Sequence, residues 1–382
     1  MLSGFTFGLS LAVFVGILTY VALYSLVPSG KRIGAYTFAS LAEHSMGRFG
    51  YHMLNIMLFA QSAGSCVSYF ILIADTIPIL LGLYFPQYPI LADRQIVTVA
   101  VSILMVYPLN LFRSIGALAA WSAFSVLLLP VMILTVLIRA PAYAPQHDAP
   151  LFTIGQDPFG AMGIITFAFV CTQVGFSNFL SQKNQSTSAW SITSFLSTAM
   201  SFIISIMFAA IGYLSFGMDV NPNIFANFPA DDNIINIGRL ALGVSMILTV
   251  PMAFYPARDA IQKTLGFESA SRQPTFFQHH VVTLIMFAFF LSLGINIRSL
   301  GKVYSLVGGI ASSFLAYIIP GTSYIIIFRP EWLKALSKNK GSSIEDEQTE
   351  LIAPVWWLDI SSVVLVLFGS VVMTVTAVGA FR

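Results

Sequence analysis

The stretch FAFVCTQVGFSNF, residues 167–179, closes an apolar run long enough to cross a bilayer, yet it carries Cys171, Thr172, Gln173, Gly175, Ser177 and Asn178. Lipid offers such groups no hydrogen-bond partners. Two arrangements satisfy them. A continuous helix could pack a face of small and polar residues against a neighbour, with hydroxyls bonding back to the preceding turn. An interrupted helix could instead turn its freed backbone groups towards a wet cavity. A polar cluster with Gly175 near one end of the run suits either, and composition leaves the choice open.

The rest of the chain establishes the membrane setting. Of 382 residues, 57% are hydrophobic and only 9% charged, with a mean hydropathy of +0.83. Ordinary soluble domains carry roughly 25% charge. A helix needs about 20 apolar residues to cross the hydrocarbon core. Ten runs qualify, near residues 3–27, 51–84, 96–111, 114–139, 160–178, 189–216, 234–260, 281–297, 303–328 and 355–380. The third and eighth are short. The expected fold is therefore all-α and integral to the membrane, one transmembrane domain over 1–382 with a polar cytosolic loop at 331–354 before the last helix.

With Met1 outside, the expected cytosolic loops hold 12 of the 18 Lys and Arg residues and leave 6 for the other side. The positive-inside rule selects that orientation, which puts both termini on the non-cytosolic side. A net charge of +2 gives no electrostatic case for nucleic acid. The first run is too long for a signal-peptide core and reads as a true span. Cys66 and Cys171 both fall inside spans, and two cysteines supply neither a disulfide framework nor a metal set. Asn184-Gln185-Ser186 matches a glycosylation triplet but lies on the expected cytosolic side.

Intramembrane enzyme chemistry needs paired carboxylates, or a His with a partner, at helical spacing. The histidines fall in loops or near helix ends, and no HExxH pattern occurs. Asp75 and Asp359 read as interface residues, because a charge at the bilayer centre costs about 2.5–3.5 kcal/mol on insertion scales. No enzyme activity and no cofactor are expected. In the second run, Ser62, Ser65 and Tyr69 recur at helical spacing and form one polar stripe, open to either packing or a site.

The stretch that begins at Phe167 and runs to "GYLSFG" resembles the amino acid/auxin permease family, which includes sodium-coupled neutral amino acid transporters and fungal vacuolar amino acid transporters. "GYLSFGMDVNPNIFANFP" is similar to that family's glycine-bounded helix end and following loop. "LTVPMAFYPARDAI" is similar to its Pro-Arg-Asp helix exit, and "SGKRIGAYTFASLAEHSMGRFG" to the cytosolic loop after its second helix. The resemblance implies two inverted repeats of five helices, with broken first and sixth helices meeting at a midplane site. In this alignment the chain's first span corresponds to the family's second, so the family's first helix is expected to be missing from the chain as written. The fifth span here then corresponds to the family's broken sixth.

On that alignment Phe167, Phe169, Cys171, Thr172, Gln173 and Gly175 are the expected substrate-binding residues, joined by Ser62, Ser65 and Tyr69. Where the family often has His after the Cys, this chain has Thr172. Thr249 matches a threonine that helps bind sodium in the sodium-coupled branch, and Ser245 lies one turn earlier on the same face. The resemblance implies secondary active transport of neutral amino acids, coupled to protons or sodium, in the vacuolar more than the plasma membrane. A non-transporting amino acid sensor, or an inactive chain lacking its first helix, is the alternative. The expected partners are a small amino acid and the lipid bilayer.

Overall fold

The computed structural model of the protein describes residues 3–113, 119–152, 155, 157–268, 272–332 and 355–380. The expected loop at 331–354 falls almost entirely outside them. Among the described residues, nine helical segments are long and apolar enough to cross a membrane. In chain order they are Phe5–Ile33, Phe38–Tyr84, Trp121–Ala142, Pro158–Ser181, Thr187–Asp219, Asn233–Thr264, Phe276–Asn296, Leu300–Phe328 and Trp356–Ala380. A shorter apolar helix, Arg94–Asn110, lies between the second and third of these. Counting it as the third span, the ten match the sequence expectation one for one. Its 17 residues cover roughly 25 Å as a helix, less than the hydrocarbon core, so it crosses only with its flanking loops.

Side-chain caps fix where several spans begin. Asp93 accepts from the Gln95 and Ile96 amides, Asp157 from Gly160 and Asp232 from Ile234 and Ile235. Thr275 and Gln278 form a reciprocal capping box at the eighth span. One expectation needs correcting. Residues 29–50, read as a loop, are helical from Phe38 onwards, because Thr37 caps Ser40 and Phe38, Leu41 and Ala42 are buried. Only Gly47, at φ 64°, interrupts the run and kinks it into the second span proper.

The bundle has a centre and a rim. The ninth span is the most enclosed, with 72% of its most apolar window buried, whereas the sixth has 6% and lies at the rim. Two apolar cores form. One joins the second, seventh and eighth spans through Phe70, Ile235, Phe254 and Phe290. The other joins the first, fifth, ninth and tenth through Val15, Phe169, Leu315, Tyr317 and Leu365.

Among the described residues, several ion pairs tie helix ends together. Arg94 bonds Asp75 at 3.0 Å and the Ile295 carbonyl at 2.8 Å, tying together the ends of the second, third and eighth spans. Arg139 pairs with Asp232 at 2.7 Å and Arg329 with Asp359 at 2.6 Å. On the face that the charge distribution assigns to the cytosol, Arg258 is 3% exposed and donates to the carbonyls of Asn110 and Phe112 and to the Thr283 hydroxyl. His279 Nε2 donates to Leu111 O at 3.1 Å. These two side chains satisfy the carbonyls that the end of the third span leaves without helical partners.

Candidate functional site

The fifth span is interrupted. Its first half, Pro158–Phe169, ends at Val170, which is extended at φ −68° and ψ 118°. Cys171 follows at φ −146°, then one 3-10 turn over Thr172–Val174, and the helix resumes as Gly175–Ser181. Val170, Thr172 and Val174 are β-branched at alternate positions, a pattern better suited to extended backbone than to helix. Thr172 secures the break from outside: it is 1% exposed, and its hydroxyl donates to Leu315 O of the ninth span at 2.8 Å. The last carbonyls of the first half and the first amides of the second lack partners within their own helices. Gln173 Oε1, buried beside them, has no hydrogen-bond partner among the described residues.

The ninth span is shaped to receive this break. It contains two π-helical stretches, Gly308–Ser312 and Phe314–Ile318, whose wider winding releases carbonyls such as that of Leu315. Gly163 and Gly308 let the two backbones touch. A Cβ on Gly308 would lie 2.7 Å from the Gly163 carbonyl carbon and 2.8 Å from Phe167 Cβ.

Four of the nine expected substrate-binding residues, Phe167, Phe169, Thr172 and Tyr69, meet the ninth span. The Phe167 ring stands 4.7 Å from that of Tyr304, measured between centroids. Tyr304 in turn lies against Tyr69 and Ser68 of the second span. Gln61 Oε1, one residue before Ser62, accepts from Ser312 at 2.5 Å. Ser65 donates back to Gln61 O at 3.0 Å, and Ser62 is buried. Tyr304 therefore links the second-span stripe to the first half of the fifth span. Phe169 is buried in the second core, while Gly175 lets the resumed helix close on the first span, 3.0 Å from Leu26 and 3.6 Å from Leu23 for an added Cβ. Cys171 is half-buried at the break.

Ser245 and Thr249 lie elsewhere. Thr249 Oγ1 donates to Ser245 O at 2.7 Å and meets Ser125 Oγ at 3.3 Å, and Ser245 Oγ donates to Ser125 O at 3.3 Å. This cluster of neutral oxygens joins the seventh span to the fourth, and none of its hydrogen bonds runs to the fifth. Sequence reasoning missed Ser125, Tyr304, Ser312 and the Leu315 carbonyl. A signal was present in "GGIASS", residues 308–313, whose small and hydroxyl residues mark close helix approach.

A family profile described as "Transmembrane amino acid transporter protein" matches residues 2–342. The chain belongs to that family. Among curated members, it is 28% identical over 342 residues to a putative sodium-coupled neutral amino acid transporter 11 of Danio rerio, covering 87% of this chain and 75% of that one. It is 28% identical over 338 residues to vacuolar amino acid transporter 2 of Saccharomyces cerevisiae, covering 82% and 70%. Among solved structures, a manganese transporter of Eremococcus coleocola superposes with a TM-score of 0.55 at 14% identity, over 98% of this chain and 81% of that one. The last likeness concerns the fold alone.

Proposed function

We propose that the chain is a secondary active transporter of neutral amino acids that works by alternating access. The observation that carries this reading is the interruption at 170–174, where one helix ends at Phe169 and the next begins at Gly175, tied to the ninth span through Thr172. A zwitterion needs two opposite recognition surfaces close together. The amides that open the second half sit at the positive end of a helix dipole and suit a carboxylate, while the carbonyls that close the first half suit an ammonium. Phe167, Tyr304 and Tyr69 offer an aromatic wall for an uncharged side chain. No buried protein charge is required, and none of the ion pairs among the described residues involves the fifth span.

Coupling is to protons or sodium. The oxygens of Ser125, Ser245 and Thr249 are the candidate sodium ligands, being neutral, hard and gathered between two spans. Similarity to vacuolar transporters of Saccharomyces cerevisiae and Schizosaccharomyces pombe supports a vacuolar membrane location.

The test is made on the chain in proteoliposomes. Saturable uptake of a neutral amino acid is expected, together with labelling of Cys171 by a water-soluble thiol reagent that the same amino acid slows. Cys66, fully buried, should stay unlabelled, and Cys171→Ser should abolish the signal. Absence of flux, combined with Cys171 labelling that amino acids leave unchanged, would refute the proposal. Protection without flux would indicate binding alone.

A further inference from the structure

We propose that Trp190 of the sixth span is the seat of a cytosolic gate, and that the resumed helix of the fifth span, Gly175–Ser181, leaves this seat when the break opens towards the cytosol. The proposal rests on the transport reading above and adds to it which segment moves and what holds it.

The resumed helix is bounded on both sides by backbone that is not helical. Val170, before the break, has ψ 118°, and Gln182, after Ser181, has ψ 141°. A seven-residue helix between two such joints can turn as one body, the joints absorbing the dihedral change. The first half is held differently, by the backbone contact of Gly163 with Gly308. Side chains hold the resumed helix. Phe179, 1% exposed, meets Trp190, 3% exposed, edge to face, with ring centroids 5.8 Å apart and planes at 83°. The Trp190 indole N–H donates to Leu23 O of the first span at 2.8 Å, which fixes the ring that Phe179 meets. Lys31, near the end of the first span, lies 5.5 Å from the centre of the Phe179 ring and donates to Gln185 O at 2.9 Å.

Placement gives these contacts a role. Leu23, Val27, Phe179 and Trp190 form one small buried cluster, and Cys171, at the break, packs against it. Lys31 and Arg32 lie in the last turn of the first span and Lys183 follows the fifth, so the charge distribution puts this end in the cytosol. The cluster therefore stands between the break and the cytosol. Side-chain contacts of this kind release without unwinding any helix. Trp190 acts through Phe179 and not on the substrate, which makes it a positioning residue.

Cys171 reports the gate. A membrane-impermeant thiol reagent is applied to the whole chain in sealed vesicles of each orientation, without amino acid. Trp190→Phe keeps an aromatic ring and removes the donor to Leu23 O, and one such bond shifts an equilibrium by about two- to tenfold. Cys171 labelling from the cytosolic side should rise by that factor, with labelling from the opposite side no faster. Phe179→Leu should do the same, and the double variant should add little, because both changes act on one contact. An equal rise from both sides would mean that the variant merely loosens the bundle, and an unchanged cytosolic rate would mean that the seat holds nothing; either result overturns the proposal. Cys66, fully buried, reports unfolding; if Trp190→Phe exposes it, Lys31→Met, at the half-buried end of the same contact, decides by the same two rates. The readout needs neither substrate nor flux. Uptake by the parent with cytosolic labelling indifferent to Trp190 would remove the gate and leave the transport reading standing.

Discussion

Replacing Gly308 by Ala tests whether the fifth and ninth spans meet backbone to backbone. The added Cβ would sit 2.7 Å from the carbonyl carbon of Gly163 and 2.8 Å from Phe167 Cβ, and closer still to Gly163 O. Ordinary contacts begin near 3.4 Å, so the spans must part by at least about 0.7 Å. The clash is with backbone, which cannot rotate away. Overpacking of this kind costs about 1–3 kcal/mol. Gly163→Ala makes the reciprocal intrusion, against Ser305 O and 3.1 Å from Gly309 N. Each single variant should lower the apparent unfolding midpoint, measured by size-exclusion after heating in detergent. The double variant should lower it by clearly less than the sum, because one separation of the spans relieves both clashes. Additive losses, or single variants indistinguishable from the parent, would refute the close approach. Because the separation also pulls Leu315 O from Thr172, both variants should reduce uptake more than their stability loss alone accounts for.

Arg258→Met should lower stability by about 3 kcal/mol, since it strands the Asn110 and Phe112 carbonyls at about 1–3 kcal/mol each; Arg258→Lys should not fully restore it, because the two carbonyls are reached by the two separate terminal nitrogens of a rigid guanidinium fork that a single ammonium nitrogen does not reproduce. The same heating assay reads both variants. Glu268 lies beyond the end of the seventh span, and burial, then the nearby Asp259 carboxylate, hold its pKa above the ordinary 4.5, with Lys263 and Arg258 opposing. Its contribution to stability is therefore full below 4.5 and lost as pH rises through the folded value. The parent's apparent midpoint should fall as pH rises from about 4.5 to 7, and Glu268→Gln should flatten that fall.

The ten spans were legible because each must satisfy its backbone internally and face lipid with apolar side chains, a demand written into every stretch of about 20 residues. The polar cluster at 171–178 was legible as an anomaly for the same reason. Its resolution was not, because a packing face and a broken helix have the same composition. What decided it was the ninth span, more than 120 residues away in sequence, whose π-helical winding releases Leu315 O to Thr172 and whose Gly308 admits Gly163. The loop expected at 29–50 failed on a local matter: its helix depends on a single cap at Thr37 and on burial of Phe38 and Leu41, which only the assembled bundle supplies.

By itself, then, the sequence determined membrane insertion, the number and order of the spans, and the place where one of them is chemically out of keeping with lipid. These are properties of local composition measured against a solvent of known thickness. The tertiary structure decided which residues share that place. Tyr304 was brought against Phe167 and Ser312 against Gln61, while Ser245 and Thr249 were set apart with Ser125, because which face of a helix meets which neighbour depends on crossing geometry that no local pattern encodes.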